Sequence, residues 1–411
     1  GSKIVSPTHN RSFFISRRIA MIAPFQIASG PRVRFGRGEA AFAGEEARAL
    51  GIKRPMIITD AGVASCGALG PLTRGLEKAG LDFHLYDQVE ADPSDESMAR
   101  ARKTFEGSGC DGIIAAGGGS SIDTAKAAGV LVGNGGKIHD YYGFGNVPGP
   151  LPTLITVPTT AGTGSEVTCS AIVTDSIQKI KAVMASPLMF ARVAVVDPEL
   201  LSLMPTPIAA GTLMDALTHA IESMTSRKAN PWTRNLCLQA IANIGQYARR
   251  FVENPADPEP AGAISLASTW AGHCFTNTSL GIVHSLSHPI GVYHHIHHGT
   301  SNAIFLPPVM RFNLQAVRGD YAQIAPLLQN PSEADRVDPH DESAPQVAIN
   351  SVRSLVRDIG ISATLREAGI TSEEGFETMA KDAAKSPQVL TNPVHATEED
   401  MLSLLQAAMN G

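Results

Sequence analysis

Two pairs of side chains at helical spacing set the chemistry open to this chain. Asp215 and His219 stand four residues apart within Gly211 to Glu222 (GTLMDALTHAIE), and His284 and His288 repeat the interval within GIVHSLSHP from Gly281. On a helix such partners lie about 40° apart on one face, one turn above each other. Each pair can offer two ligands, or a ligand and a proton donor, to one point. Taken singly, either pair is more often a plain surface or core histidine near an acid. The surroundings add weight: of the 13 histidines, seven (His273, His284, His288, His294, His295, His297 and His298) fall between positions 273 and 298. A straight helix from His284 to His298 would span about 21 Å, whereas ligands of one ion sit about 2 Å from it. The chain must therefore bend if both are ligands, and Pro289 and Gly291 offer a place to do so. Imidazoles with one carboxylate suit Fe(II), Zn(II) or another borderline divalent ion. His294, His295 and His297 are read as bystanders or supporting groups.

A second chemistry sits earlier. Gly117-Gly118-Gly119-Ser120-Ser121 lies between a buried-strand pattern and a helical one. Glycines let the backbone approach a phosphate, and helix N-terminal N–H groups favour an anion. Ser120 or Ser121 is expected to cap that helix, with Asp123 in its first turn and among the cofactor-binding candidates. Taken alone, a tight turn with nothing bound remains open. The motif is not GxGxxG, in which an acid follows the glycines by about 20 residues. Here the strand-end carboxylate, Asp60, precedes them. If it accepts the ribose hydroxyls it repels a 2′-phosphate and favours NAD over NADP. A further turn, Val157 to Thr168 (VPTTAGTGSEVT), packs hydroxyls around two glycines after a strand, which suits a dinucleotide or a polar substrate. A Ser/Thr-rich turn that satisfies its own backbone is the competing reading.

These groups need elements to hold them. Apolar runs at 55–60, 81–86, 112–116, 153–157 and 194–197 read as strands, separated by helical patterns near 40–50, 67–79, 95–107 and 121–132. That alternation predicts right-handed βαβ units and a parallel sheet. After Pro205 the spacing is helical only, through 208–226, 232–252, 260–276, 302–313, 345–358 and 398–409. Residues 329–344 read as a surface loop. The expected organisation is an N-terminal extension (1–29), a nucleotide-binding α/β domain (30–205) and an all-α metal-binding domain (206–411).

The bulk composition excludes several classes. The 411 residues are 43% apolar and 18% charged, which is globular rather than disordered. A net charge of −6 argues against a nucleic-acid surface. Five widely spaced cysteines without a CxxC pair argue against a disulfide framework or thiolate site and fit a reduced, cytoplasmic setting. No apolar stretch is long enough to suggest a membrane span. Gly1-Ser2 reads as a cloning remnant, and a targeting role for the Arg-bearing segment 11–27 is disfavoured by its short apolar part and Pro24.

The motifs together identify a resemblance. GGGSSIDTAK (Gly117 to Lys126), PTTAGTGSEVT (Pro158 to Thr168), DALTHAIE (Asp215 to Glu222), and HSLSHPIG with HHGTSNA (within Gly281 to Ala303) resemble the iron-containing, or group III, alcohol dehydrogenases, in order and spacing over about residues 30–410. The resemblance implies a dehydroquinate-synthase-like fold. It implies that Asp215, His219, His284 and His298 hold Fe(II), with Zn(II) admissible in the same site, and that His288 stands at the reacting centre. It places Asp60 at the adenosine ribose and Gly118, Gly119 and Ser120 at the pyrophosphate. Thr159, Thr160, Thr168 and Lys181 match further cofactor positions, and Phe275 a substrate position. The implied activity is hydride transfer between NAD(H) and a small alcohol or aldehyde, in a homodimer or larger homo-oligomer. His288, with a near-neutral pKa, would relay the alcohol proton. Polyol or hydroxy-acid dehydrogenation on the same fold, or less favoured a dehydroquinate-synthase-like lyase, are the alternatives. Ala91-Asp92-Pro93-Ser94 departs from the family's usual Pro-Asn-Pro-Thr, and Asn392-Pro393-Val394 from Asn-Pro-Arg.

Overall fold

The structure, a computed structural model, describes residues 22–178 and 180–411. Most of the N-terminal extension, with the targeting question attached to it, lies outside the described residues.

The first half is built on nine strands. In chain order it comprises β1 (Arg32–Phe35), α1 (Ala43–Ala49), β2 (Pro55–Ile58), α2 (Ala61–Ser65), α3 (Gly70–Lys78), β3 (His84–Tyr86), α4 (Asp95–Ser108), β4 (Gly112–Gly117) and α5 (Gly119–Asn134). Then follow β5 (Gly143–Phe144), β6 (Thr153–Pro158), β7 (Ser170–Asp175), β8 (Ile180–Ala185) and β9 (Val193–Val196). Six strands form a parallel sheet in the order β1-β9-β6-β4-β2-β3. β2, β4 and β9 are buried along their whole length. That burial is why they read as unbroken apolar runs: helices cover both faces of the sheet. α1 packs Ala43 and Ala47, and α3 packs Leu72 and Leu76, with Ile57 and Ile114 on one face. α4 and α5 pack Phe105, Ile122 and Ala125 against Met56, Ile58 and Ile113 on the other.

The sequence reading found five of these strands. It did not find β1, β5, β7 or β8. β1 is an edge strand of alternating Arg and apolar residues, largely exposed. β7 and β8 pair antiparallel, and β5 joins them in a separate three-stranded sheet. Only alternate residues of β7 and β8 are buried, so neither forms a continuous apolar run.

The second half is helical, as expected. α6 (Thr206–Thr225) is its axis and is buried from Ala209 onward. α7 (Pro231–Glu253) and α8 (Pro258–Thr278) pack on it, started by Asn230 and Asp257, whose side chains accept the first free backbone N–H groups. α9 (Ile282–His294) and α10 (His298–Asn313) follow, then α11 (Arg318–Leu328), α12 (Ala344–Asp358), α13 (Phe376–Ala384) and α14 (Glu398–Asn410). Residues 329–343 form turns and loop, as read from composition. Among the described residues no helix is long and apolar enough to cross a membrane.

The bend between His284 and His298 corrects an expectation. Pro289 sits inside α9 without ending it. The chain turns at His295, which closes α9 in the left-handed region (φ 55), and α10 begins three residues later. A proline six residues before the break therefore does not make the corner, although His298 still returns toward His284.

Candidate metal centre and dinucleotide cleft

Three helices deliver the candidate ligands to one buried point. α6 carries Asp215 and His219, α9 carries His284, and α10 opens with His298. One ligand atom each from Asp215, His284 and His298 lies within 4.8 Å of the other two. Asp215 Oδ1 is the hub: it is 3.2 Å from Nε2 of His219 and 3.6 Å from Nε2 of both His284 and His298.

The far side of two imidazoles is fixed. His219 Nδ1 is 3.2 Å from the carbonyl of Gly162, which can only accept, so Nδ1 carries the proton and the Nε2 lone pair faces Asp215. His284 Nδ1 lies 2.6 Å from Glu222 Oε2, so Nδ1 carries a proton there too. These contacts are the outer supports by which proteins orient metal-binding imidazoles. Gly162 must lack a side chain, since a Cβ there would stand 2.4 Å from the Thr212 carbonyl. His298 is 29% exposed and opens the centre toward the cleft. The donor set, three imidazoles and a carboxylate with, among the described residues, no Lys or Arg at hydrogen-bond distance from Asp215, fits a borderline divalent cation.

Electrostatics agree with the geometry. Burial pushes the Asp215 carboxyl up, but His219, His284 and His298 outweigh it and hold the group well below the usual carboxylate range. Burial lowers His219 to about 4 against the pull of Asp215. Burial also disfavours the His284 cation, yet Glu222 and Asp215 more than compensate and raise it to about 9. His288 departs from expectation. Burial, then His284 and Lys181, bring it down to about 3 rather than leaving it near neutrality. Its resting form is the neutral imidazole. Its ring centroid is 5.6 Å from that of His298 and 6.2 Å from that of His284.

The centre opens into a cleft of about 960 Å³ lined by both the sheet half and the helical half. Asp60, Gly118, Gly119 and Ser120 line the same cleft. Asp60 follows β2 and starts α2, its Oδ1 accepting the Val63 N–H at 2.9 Å. α5 begins at Gly119 with Gly118 as its N-terminal residue and no side-chain cap, so neither Ser120 nor Ser121 caps it as expected. The backbone N–H groups there are left for another acceptor. Gly119 needs its hydrogen, because a Cβ would meet Thr163 Cγ2 at 2.7 Å.

Asp123 also differs from its expected place. It lies in the second turn of α5, where its carboxylate accepts from Ser165 Oγ at 2.6 Å and the Ile172 N–H at 2.9 Å. Those two protein bonds turn it toward the polar loop rather than the helix start. Lys126, fully buried, braces the same loop through the Ser165 carbonyl (2.6 Å), Thr168 Oγ1 (2.9 Å) and the Ser170 carbonyl (2.9 Å). Thr159, Thr160, Thr168 and Lys181 also line the cleft. Lys181, on β8, pairs at 2.5 Å with Asp92, a residue in the left-handed region (φ 51). Phe275 packs its ring 4.5 Å from that of His219.

Of the remaining histidines, His295 and His297 line the cleft and His273 packs against Trp232. Glu222, Asn302 and the Gly162 carbonyl were not singled out in the sequence. Glu222 lies seven residues after Asp215 and Asn302 four after His298, so helical spacing carried the signal.

Comparisons with known proteins show the family. Residues 30–198 match the family described as iron-containing alcohol dehydrogenase, and residues 209–409 its C-terminal domain. The chain is 36% identical over 380 residues to the NAD-dependent methanol dehydrogenase of Bacillus methanolicus, covering 92% of this chain and 98% of that protein. It is 34% identical to the lactaldehyde reductase of Escherichia coli (strain K12), covering 91% and 97%. The crystal structure of a 1,3-propanediol oxidoreductase superposes with a TM-score of 0.89 at 33% identity, covering 94% of this chain and all of that one. The chain therefore belongs to the iron-containing alcohol dehydrogenase family, and is an oxidoreductase of the alcohol dehydrogenase class.

Proposed function

We propose that this protein transfers hydride between NAD(H) and a small alcohol or aldehyde at the point where the histidine centre meets the cleft. The observation that carries the reading is the meeting of two sites in one cleft. Uncapped N–H groups and Asp60 line it from the sheet half, and Asp215, His219, His284 and His298 from the helical half.

In this reading those four residues hold Fe(II), and Zn(II) suits the same donors. Bound there, the ion would act as a Lewis acid that favours the alkoxide form of the substrate. Gly118, Gly119 and Ser120 receive the pyrophosphate on the free N–H groups of α5. Asp60 accepts the adenosine ribose hydroxyls and disfavours a 2′-phosphate. Thr159, Thr160 and Lys181 carry the cofactor along the cleft. Asp123 and Lys126 position the Thr163–Ser170 loop that forms its wall. Phe275 and the helical half close over the carbinol carbon and exclude bulk water. His288, neutral at rest and on the cleft side of α9, accepts the substrate proton at a ring nitrogen and passes it to solvent.

The free cysteines support a reducing, cytoplasmic setting. The family resemblance supports a homodimer or larger assembly. Anaerobic assays with Fe(II) or Zn(II), NAD or NADP, and a panel of alcohols, diols, hydroxy acids and aldehydes test the reading. Metal-dependent NADH formation from an alcohol is expected. No turnover under any combination would overturn it.

A further inference from the structure

Asn302 is fully buried in the second turn of α10, one turn after His298 and on the same face. Its side-chain nitrogen points into the ligand set. Nδ2 lies 2.8 Å from Asp215 Oδ1 and 3.3 Å from Nε2 of both His284 and His298. The other end of the amide, Oδ1, is buried with no hydrogen-bond partner among the described residues. A side chain anchored only at its nitrogen takes its orientation from what that nitrogen touches. Turned over, Oδ1 would face Asp215 Oδ1 at the same short distance, oxygen against oxygen. The three ligand residues thus decide how Asn302 sits, and Asn302 in turn restrains them.

We propose that Asn302 is a positioning residue of the metal centre, its amide N–H holding Asp215 Oδ1 so that the carboxylate presents its remaining lone pair to the cation. A carboxylate oxygen has room for both bonds. Asp215 is also the single group that all three imidazoles approach, so a rotation of its carboxylate would disturb every ligand distance at once. Ligating carboxylates are commonly fixed by such outer hydrogen bonds, and losing one typically costs 10–100-fold in metal affinity. No other side-chain nitrogen apart from the three imidazoles is within hydrogen-bond distance of Asp215 among the described residues, so nothing substitutes for Asn302.

The inference rests on the metal-centre reading, and one experiment separates the two. Metal-free parent protein, Asn302→Leu and Asn302→Ala are titrated with Zn(II) against a chromophoric chelator, and Co(II)-loaded samples are compared by visible absorption. Asn302→Ser, which retains one hydroxyl donor, accompanies them in case the larger losses prevent folding, and thermal melting identifies the folded variants. Expected are stoichiometric binding by the parent, at least tenfold weaker Zn(II) binding by the Leu and Ala variants, an intermediate value for Ser, and altered Co(II) bands. A loss of packing alone would lower the melting temperature and leave the Co(II) bands in place. Parent-like affinity and parent-like bands in the folded variants would overturn the role of Asn302. A parent that binds neither ion would instead overturn the metal centre itself.

Discussion

Glu222 Oε2 lies 2.6 Å from Nδ1 of His284, while Oε1 of the same carboxylate accepts the backbone N–H of Val283 at 2.8 Å. One side chain on α6 thus fixes both the ring and the first turn of α9. Gly281 makes the approach possible, since a Cβ there would stand 2.8 Å from Oε1.

That contact gives metal binding a pH dependence. In the metal-free protein Glu222 and Asp215, working against burial, raise His284 to about 9. A cation must displace the Nε2 proton at any pH below about 9. Affinity should therefore rise with pH across that window, approaching tenfold per unit, and level off above it. The same raised pKa adds stability to the metal-free fold below pH 6.5, which fades as pH climbs through about 9. Glu222→Gln should flatten both curves. Calorimetric titration in buffers of different ionisation heat measures the released proton, and equal release by parent and variant would contradict the assignment.

His219 and His288 should separate in their loss-of-function signatures. His219→Ala and His284→Ala should lose bound metal and activity together. His288→Ala should retain about one ion per chain while turnover falls by 10²–10⁴-fold, the usual range for general acid–base groups. Metal analysis beside steady-state kinetics decides it. Metal loss from His288→Ala as complete as from His219→Ala would place His288 among the ligands.

Asp60 should set the cofactor preference. Asp60→Asn keeps an oxygen for the Val63 N–H, so α2 retains its cap, but the negative charge is gone. The ratio of kcat/KM for NAD over NADP should narrow. A ratio that does not move would remove Asp60 from the ribose.

Gly299 should tolerate no side chain. A Cβ there would fall 1.9 Å from the carbonyl of Gly211, where α10 crosses α6. Gly299→Ala should destabilise the protein by about 1–3 kcal/mol, as overpacking does, and should weaken metal binding because His298 is its neighbour. Differential scanning calorimetry and metal content test both effects. A parent-like melting temperature would show that the crossing has slack.

The sequence was most legible where burial or ligand spacing imposed a pattern. β2, β4, β6 and β9 were visible because both sheet faces are covered, and Asp215 with His219 because one helix turn separates them. β7 and β8 were hidden by their half-exposed alternation. The corner near His298 was misplaced because a proline inside a helix looks like a break, whereas His295 supplies the turn through a left-handed backbone. The displacement of Asp123 was illegible for another reason: its partners, Ser165 and Ile172, lie 42 and 49 residues away and meet it only through the fold. Glu222 and Asn302 stood within readable helical spacing, but partners such as His284 for Glu222 and Asp215 for Asn302 come from other helices.

All four candidate ligands belong to the helical half, and nearly every residue of the glycine turn and ribose end to the sheet half. The span between hydride donor and acceptor is therefore not written into either set of residues. It is set by how the two halves pack, where the Gly162 turn meets Thr212 of α6 and Gly164 meets Gly272 of α8. Substitutions along that seam would retune reach and substrate size as a change of hinge retunes the bite of a pair of tongs.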